Sequence, residues 1–318
     1  MGGFLVWKER VSAFEGTDVE RRRLLSRPNN RVALALGSGG ARGYAHIGAI
    51  AEIEARGYEI VGIAGTSMGA MVGGLFAAGA LGEYTDWVSG LNKRDVAALL
   101  DVSISAPGTM KAEKVMAKVS NLLGGVRIEE LRIPFTALAA DLMAQKEIWF
   151  QDGPLDLALR ASVSIPGVFT PVVINGQLLA DGGIFNPLPL SPLAAIPADL
   201  VIAVSLSGPR KNGHVGSAIS ASKIQSRSKQ PSEKVLASSI AEAIRKVPPG
   251  LRTIDVLELS VQSMQSLLQR FQVAAYPPDI QIDVPVDSCG VLEFYRAKEL
   301  IEIGRTLTAR ALDKLVDA

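Results

Sequence analysis

Two short glycine-rich segments hold the residues whose types and spacing could do chemistry. Gly65-Thr66-Ser67-Met68-Gly69 fits G-x-S-x-G, in which glycines two residues to either side of the serine permit a strained strand-to-helix turn that projects the hydroxyl into a cleft. Ahead of it, Gly37-Ser38-Gly39-Gly40-Ala41-Arg42-Gly43 sets successive small residues before a helical pattern, where unpaired backbone N–H groups can receive a negative oxygen. This loop fails as a dinucleotide fingerprint. Its sixth residue is Arg42, and the next apolar run ends in Gly-Thr-Ser where a ribose-binding carboxylate belongs. It also fails as a phosphate-cradling P-loop, since no Gly-Lys-Ser/Thr follows. A serine beside an anion-binding loop is equipment for acyl transfer.

A serine hydroxyl needs a neighbouring base to take its proton. The chain has two histidines: His46, on an apolar stretch of the helical pattern after the glycine loop, and His214, in a polar Lys-Asn-Gly-His stretch. His46 reads as a packing residue. The order Ser67, Asp181, His214 matches the chain order of α/β-hydrolase triads, although those enzymes reach their nucleophile only after several strands. Asp181 ends an apolar run and precedes Gly182-Gly183, a setting that can turn its carboxylate into the same cleft as Ser67. Asp141, after another apolar run, reads as a structural turn residue.

Positioning these groups takes elements that the apolar pattern supplies. Residues 32–36 form an apolar run, 44–56 a helical pattern, 60–64 a second run, and 65–69 a turn into another helix, which together make a βαβα unit. Continuously apolar strands separated by helices predict an α/β fold whose largely parallel sheet is covered on both faces. Further strands are expected at 135–140, 147–150, 177–180, 200–206 and 280–284, with helices at 155–162, 254–271 and 291–316 and helical stretches between 83 and 123. Residues 1–30 read as a flanking helix that ends in a basic triplet and an Arg-Pro-Asn-Asn breaker. Residues 207–235, rich in Ser, Gly and Lys, read as a mobile insertion or lid, and 236–318 as a helical and strand region packed on the rest.

Composition narrows the classes. At 318 residues with 48% hydrophobic and 20% charged residues, the chain can bury a real core. Thirty-three basic against 32 acidic residues argue against a nucleic-acid partner. A lone Cys289 makes no internal disulfide, and with no signal-peptide pattern this predicts a cytoplasmic location. No His, Cys or carboxylate cluster has ligand spacing, so neither a metal nor another cofactor is expected. Residues 60–82 carry no charge and reach membrane-spanning length, yet seven glycines dilute them, and they read better as buried strand, turn and buried helix.

Taken in order, GSGGARG at 37–43, GTSMG at 65–69 and DGG at 181–183 resemble the bacterial branch of the patatin-like phospholipase family. RASVSIPGVFTPV at 160–172 and the closing PDIQIDVP and FYRAKELIEIG segments are similar to it as well. The resemblance implies a three-layer patatin-like fold with a mostly parallel central sheet flanked by helices, residues 31–206 forming the catalytic domain. It implies a Ser-Asp dyad with no catalytic histidine, Ser67 as nucleophile and Asp181 as proton acceptor. The Gly39 and Gly40 amides would form the oxyanion hole, supported by Arg42, with Ser38, Gly43, Gly65, Gly69, Gly182 and Gly183 completing the motifs. Ser38 departs from a run of glycines in the family's loop, and it would shift that loop if the position needs positive φ. The implied substrate is a lipid acyl ester, a phospholipid, lysophospholipid or glyceride, met in transient contact with a membrane surface.

Apolar residues expected to crowd the site are Met68, Met71, Ile165, Val168, Phe169, Ile184 and Phe185, each of which also fits plain core packing. The rival readings are an esterase with a Ser67-Asp181-His214 triad, a non-catalytic lipid-binding regulatory protein, and a membrane-anchored scaffold.

Overall fold

The computed structural model describes residues 30–100, 113–210 and 253–316. Eight strands form one sheet: β1 (Arg31–Leu36), β2 (Glu59–Thr66), β3 (Phe135–Asp141), β4 (Lys146–Phe150), β5 (Val172–Ile174), β6 (Gln177–Asp181), β7 (Leu200–Gly208) and β8 (Ile280–Pro285). Their order is β5-β6-β3-β2-β1-β7-β8, with β4 attached to β3. The pairs among β3, β2, β1, β7 and β8 are parallel, whereas β4, β5 and β6 join antiparallel. The fold is thus α/β with a mostly parallel central sheet. β8 lies beside β7, so the region after residue 236 contributes a strand to the same sheet.

The helices are α1 (Ala45–Ala55), α2 (Met68–Ala77), α3 (Leu81–Ser89), α4 (Lys93–Leu100), α5 (Glu113–Leu123), α6 (Leu155–Ser162), α7 (Thr253–Ala275) and α8 (Ala297–Val316). The side chains of β1 alternate between two cores. Val32, Leu34 and Leu36 join the large cluster under α1, α2, α5, α6 and α8. Ala33 and Ala35 face the opposite side, where Ala64, Ala203, Leu188, Leu190 and Leu193 pack with Val273 of α7. Alanines on that face let the 188–193 segment approach closely, which completes a layer on each side of the sheet.

Residues 60–82 run through β2, buried from Ile60 onward, the turn at Ser67 and α2 to the first two residues of α3. No helix among the described residues is long and apolar enough to cross a membrane. The strand β5 has no counterpart among the expected elements, and the expected helix at 291–316 begins at Ala297, after a short 3-10 turn over Phe294–Arg296. The flanking helix at 1–30, the core of the 207–235 insertion and His214 lie outside the described residues.

Candidate active site

The loop after β1 is held at its start by backbone bonds. Gly37 N donates to Val204 O at 3.0 Å, Ser38 N to Pro187 O at 2.8 Å, and Ala41 N to Val291 O at 2.9 Å. Between these anchors, the Gly39 and Gly40 amides reach no such carbonyl among the described residues. Positive φ in the loop falls at Gly40 (57°) and not at Ser38, so serine at position 38 carries no left-handed strain. The Arg42 guanidinium is buried and donates to the carbonyls of Leu206, Val286 and Cys289. It ties the loop to the end of β7 and the segment after β8. His46 lies in α1 with Nε2 2.8 Å from the Gly37 carbonyl.

The second turn is a single residue long. Ser67 stands between β2 and α2 at φ 57°, ψ −123°, a conformation that serine adopts only under constraint from its surroundings. The flanking glycines are needed for space: a Cβ on Gly65 would come 2.5 Å from the Gly69 carbonyl oxygen, and one on Gly69 would come 2.0 Å from that of Leu36. A Cβ on Gly43 would strike that of Met68 at 2.3 Å, so the glycine loop rests directly on the first residue of α2.

Asp181 arrives by strand register. Thr66 pairs with Leu138 and Asp181 with Ala139, while β4 occupies the far edge of β3. β2 and β6 therefore meet end to end along one edge of β3. The Ser67 hydroxyl donates to Asp181 Oδ2 at 2.5 Å across 114 positions of sequence. The other carboxylate oxygen accepts Gly183 N–H at 2.7 Å. Ser67 is fully buried and Asp181 is 4% exposed. Burial pushes the carboxyl up to about 6, against the lowering effect of its bonds from Ser67 and Gly183. A carboxylate tuned this way, touching a hydroxyl, can receive the proton when that oxygen attacks a carbonyl.

Ser162 belongs to this constellation and was not singled out by residue type. Its Oγ accepts the Ser67 N–H at 2.9 Å and donates to Leu138 O at 2.6 Å, which pins the strained turn to β3. Its signal is its place in the RASVSIP segment, where a helix ends against the sheet. Gly182 and Gly183 open the short 3-10 turn after β6, and a Cβ on Gly182 would come 2.4 Å from Leu138 O. Asp141 accepts from the amides of Met143 and Ala144 and from Gln177 Nε2, the work of a turn residue.

An apolar cavity of about 60 Å³ opens beside α2, lined by Met68, Met71, Tyr44, Tyr84, Trp87 and Phe169 among others. Of the apolar residues named from sequence, Met68, Met71 and Phe169 line it; Ile165, Val168, Ile184 and Phe185 do not. Trp87 and Tyr84 come from α3, whose own pattern gives no hint of the cavity.

The patatin family model, described as patatin-like phospholipase, matches residues 34–194, a span that holds both Ser67 and Asp181. An uncharacterized NTE family protein of Mycobacterium tuberculosis is 43% identical over 329 aligned positions, covering 89% of this chain and 91% of that protein. Patatin-like phospholipase domain-containing protein 7 of Mus musculus is 32% identical over 56% of this chain and 14% of its own length. A lysophospholipase of Pyricularia oryzae is 27% identical over 90% of this chain and 19% of its own. Matching the family model across half its length, and a relative across most of it, the chain belongs to the patatin-like phospholipase family.

Proposed function

We propose that the protein is a serine acyl hydrolase that cleaves carboxylic esters of lipids through an acyl-enzyme on Ser67, with Asp181 as the base. The observation that carries this reading is the 2.5 Å bond from Ser67 Oγ to a buried carboxylate; the Gly39 and Gly40 amides of the loop that packs on α2, with no carbonyl partner among the described residues, support it. Ser67 Oγ attacks the ester carbonyl carbon as its proton passes to Asp181 Oδ2. The oxyanion accepts from the Gly39 and Gly40 amides, and the leaving alcohol takes the proton back from Asp181. Water then attacks the acyl carbon, giving its proton to Asp181, and Ser67 leaves reprotonated. A carboxyl near 6 is too weak a base to ionise a serine beforehand, so transfer is concerted with attack and the amides supply much of the stabilisation.

Direct contact between Ser67 and Asp181 leaves no gap for an imidazole, which favours the dyad over a triad with His214. The apolar cavity beginning one residue from the nucleophile supports an acyl chain as the group held, and the lysophospholipase among the relatives supports a lipid source for it. Contact with a membrane or micelle surface, transient and peripheral, follows from such a substrate.

The test is labelling with a fluorophosphonate, mapped by mass spectrometry, alongside hydrolysis of a lysophospholipid and of a p-nitrophenyl ester. Modification at Ser67 with release of fatty acid is expected. An intact Ser67 after prolonged exposure, in protein that binds lipid, would make it a lipid-binding regulator instead.

A further inference from the structure

His46 is a histidine that the acyl-transfer steps above do not use, and it is fully buried at the start of α1. Its Nε2 lies 2.8 Å from the Gly37 carbonyl oxygen. A carbonyl can only accept, so Nε2 must carry the proton. Nδ1 is buried with no hydrogen-bond partner among the described residues, so a second proton there would be both charged and unpaired. The ring is therefore a neutral imidazole of one defined tautomer, in keeping with a burial that lowers it to about 4.

The carbonyl it holds is a junction. Gly37 opens the anion-binding loop, and its own N–H is tied to Val204 O. A Cβ on Gly69, two residues past the nucleophile, would come 2.8 Å from the same Gly37 oxygen. The peptide after Gly37 thus lies between the imidazole and the first turn of the helix that Ser67 opens. On the other side α1 is clamped against α8, where a Cβ on Gly48 would come 1.8 Å from Ile301 O and one on Gly304 would come 1.9 Å from Ala45 O. The imidazole therefore reaches the loop from a helix packed backbone to backbone against α8.

We propose that His46 is a positioning residue, its Nε2–H fixing the Gly37 peptide so that the Gly39 and Gly40 amides stay aimed at the carbonyl oxygen of a substrate on Ser67. This rests on the acyl-hydrolase reading above. A donor at that point is what matters, and the charge and basicity of the ring are not used. Loss of the donor leaves the Gly37–Ser38 peptide held on one side only, by the Ser38 N–H bond to Pro187 O, and misplacing an oxyanion donor by about 1 Å is worth roughly 10² in rate.

The experiment compares wild type with His46→Leu, which keeps bulk without a donor, and His46→Gln, whose side-chain N–H₂ reaches the position of Nε2. The readouts are the rate of fluorophosphonate labelling at Ser67 and the kcat and KM of ester hydrolysis. His46→Leu should label about 10²-fold more slowly, with kcat lowered and KM nearly kept, and His46→Gln should recover most of that loss. Labelling of His46→Leu at the wild-type rate overturns the inference and leaves the acyl-hydrolase reading intact, as does a folded His46→Gln as slow as His46→Leu. Failure of wild type to label sinks both. Should His46→Leu not fold, ¹⁵N NMR of histidine-labelled wild type decides, because only two rings contribute and the His46→Gln spectrum assigns them. A protonated Nε2 and bare Nδ1 are expected for His46, and the opposite tautomer overturns the inference.

Discussion

Thr66 and Asp181 end their strands opposite neighbouring residues of β3, Leu138 and Ala139, on the same edge. The serine that follows Thr66 therefore meets the carboxylate by register alone. Ser162 holds the turn in place by bonding both the Ser67 amide and the Leu138 carbonyl. A hydroxyl placed this way is preorganised before any substrate arrives.

Removing either member of the pair should stop turnover while leaving the fold. Ser67→Ala is expected to abolish ester hydrolysis and fluorophosphonate labelling. Asp181→Asn should nearly do so, because an amide cannot take a proton. His214→Ala should hydrolyse at close to the wild-type rate. A dead His214→Ala beside an active Asp181→Asn would replace the dyad with a triad.

The raised carboxyl of Asp181 sets a pH dependence of defined sign. Asp181 acts as base only when ionised, so kcat/KM should rise with pH to a plateau, half-maximal near about 6. Stability runs the other way. The native state keeps this proton up to about 6 while the unfolded chain loses it near the usual carboxylate value, so Asp181 weakens the fold as pH rises through that window. Asp181→Asn should therefore raise Tm relative to wild type at pH 8 and lose that advantage near pH 4. Thermal unfolding at the two pH values checks this, and an equal shift at both contradicts it.

Gly40→Ala should damage the site twice over. The residue sits at φ 57°, and an added Cβ would lie 2.5 Å from Val291 O, so the loop must move. Left-handed strain destabilises by about 1–2 kcal/mol, and a displaced amide lowers kcat on the order of 10²–10³. Steady-state kinetics with denaturant unfolding separates the two effects. Unchanged kcat in a destabilised protein would remove Gly40 from the oxyanion hole.

Met71, 2% exposed, lines the apolar cavity, and Met71→Trp should fill it. Hydrolysis of an acetyl or butyryl ester should be kept, while a long-chain ester should fall by about tenfold or more, the scale of a few methylenes denied a pocket. Equal losses across a series of p-nitrophenyl esters would place the acyl chain elsewhere.

Several elements were legible in the chain because their residues are locally consistent. The helix expected at 155–162 coincides with α6, and the runs at 32–36, 135–140 and 280–284 lie within β1, β3 and β8. β5 escaped because its apolar run is short and lies at the sheet edge, with Val173 exposed between half-buried Val172 and Ile174. Its signal was the Asn175-Gly176 pair, both at positive φ, which forms the two-residue turn between Ile174 and Gln177. The cavity was only partly legible, since Tyr44, the α3 pair Tyr84 and Trp87, and Phe294 come from three separate segments and each alone reads as core.

By itself the sequence determined which groups are present: a serine between two spacing glycines, a loop of small residues with amides to offer, and an aspartate before Gly182-Gly183. Those features are local, because steric space and backbone freedom depend on neighbours a few positions away. Which side chain touches the Ser67 hydroxyl was decided only by the tertiary structure. That contact depends on β6 docking antiparallel where β2 ends, a long-range register that no local pattern encodes, and on burial deep enough to raise the carboxyl toward neutrality.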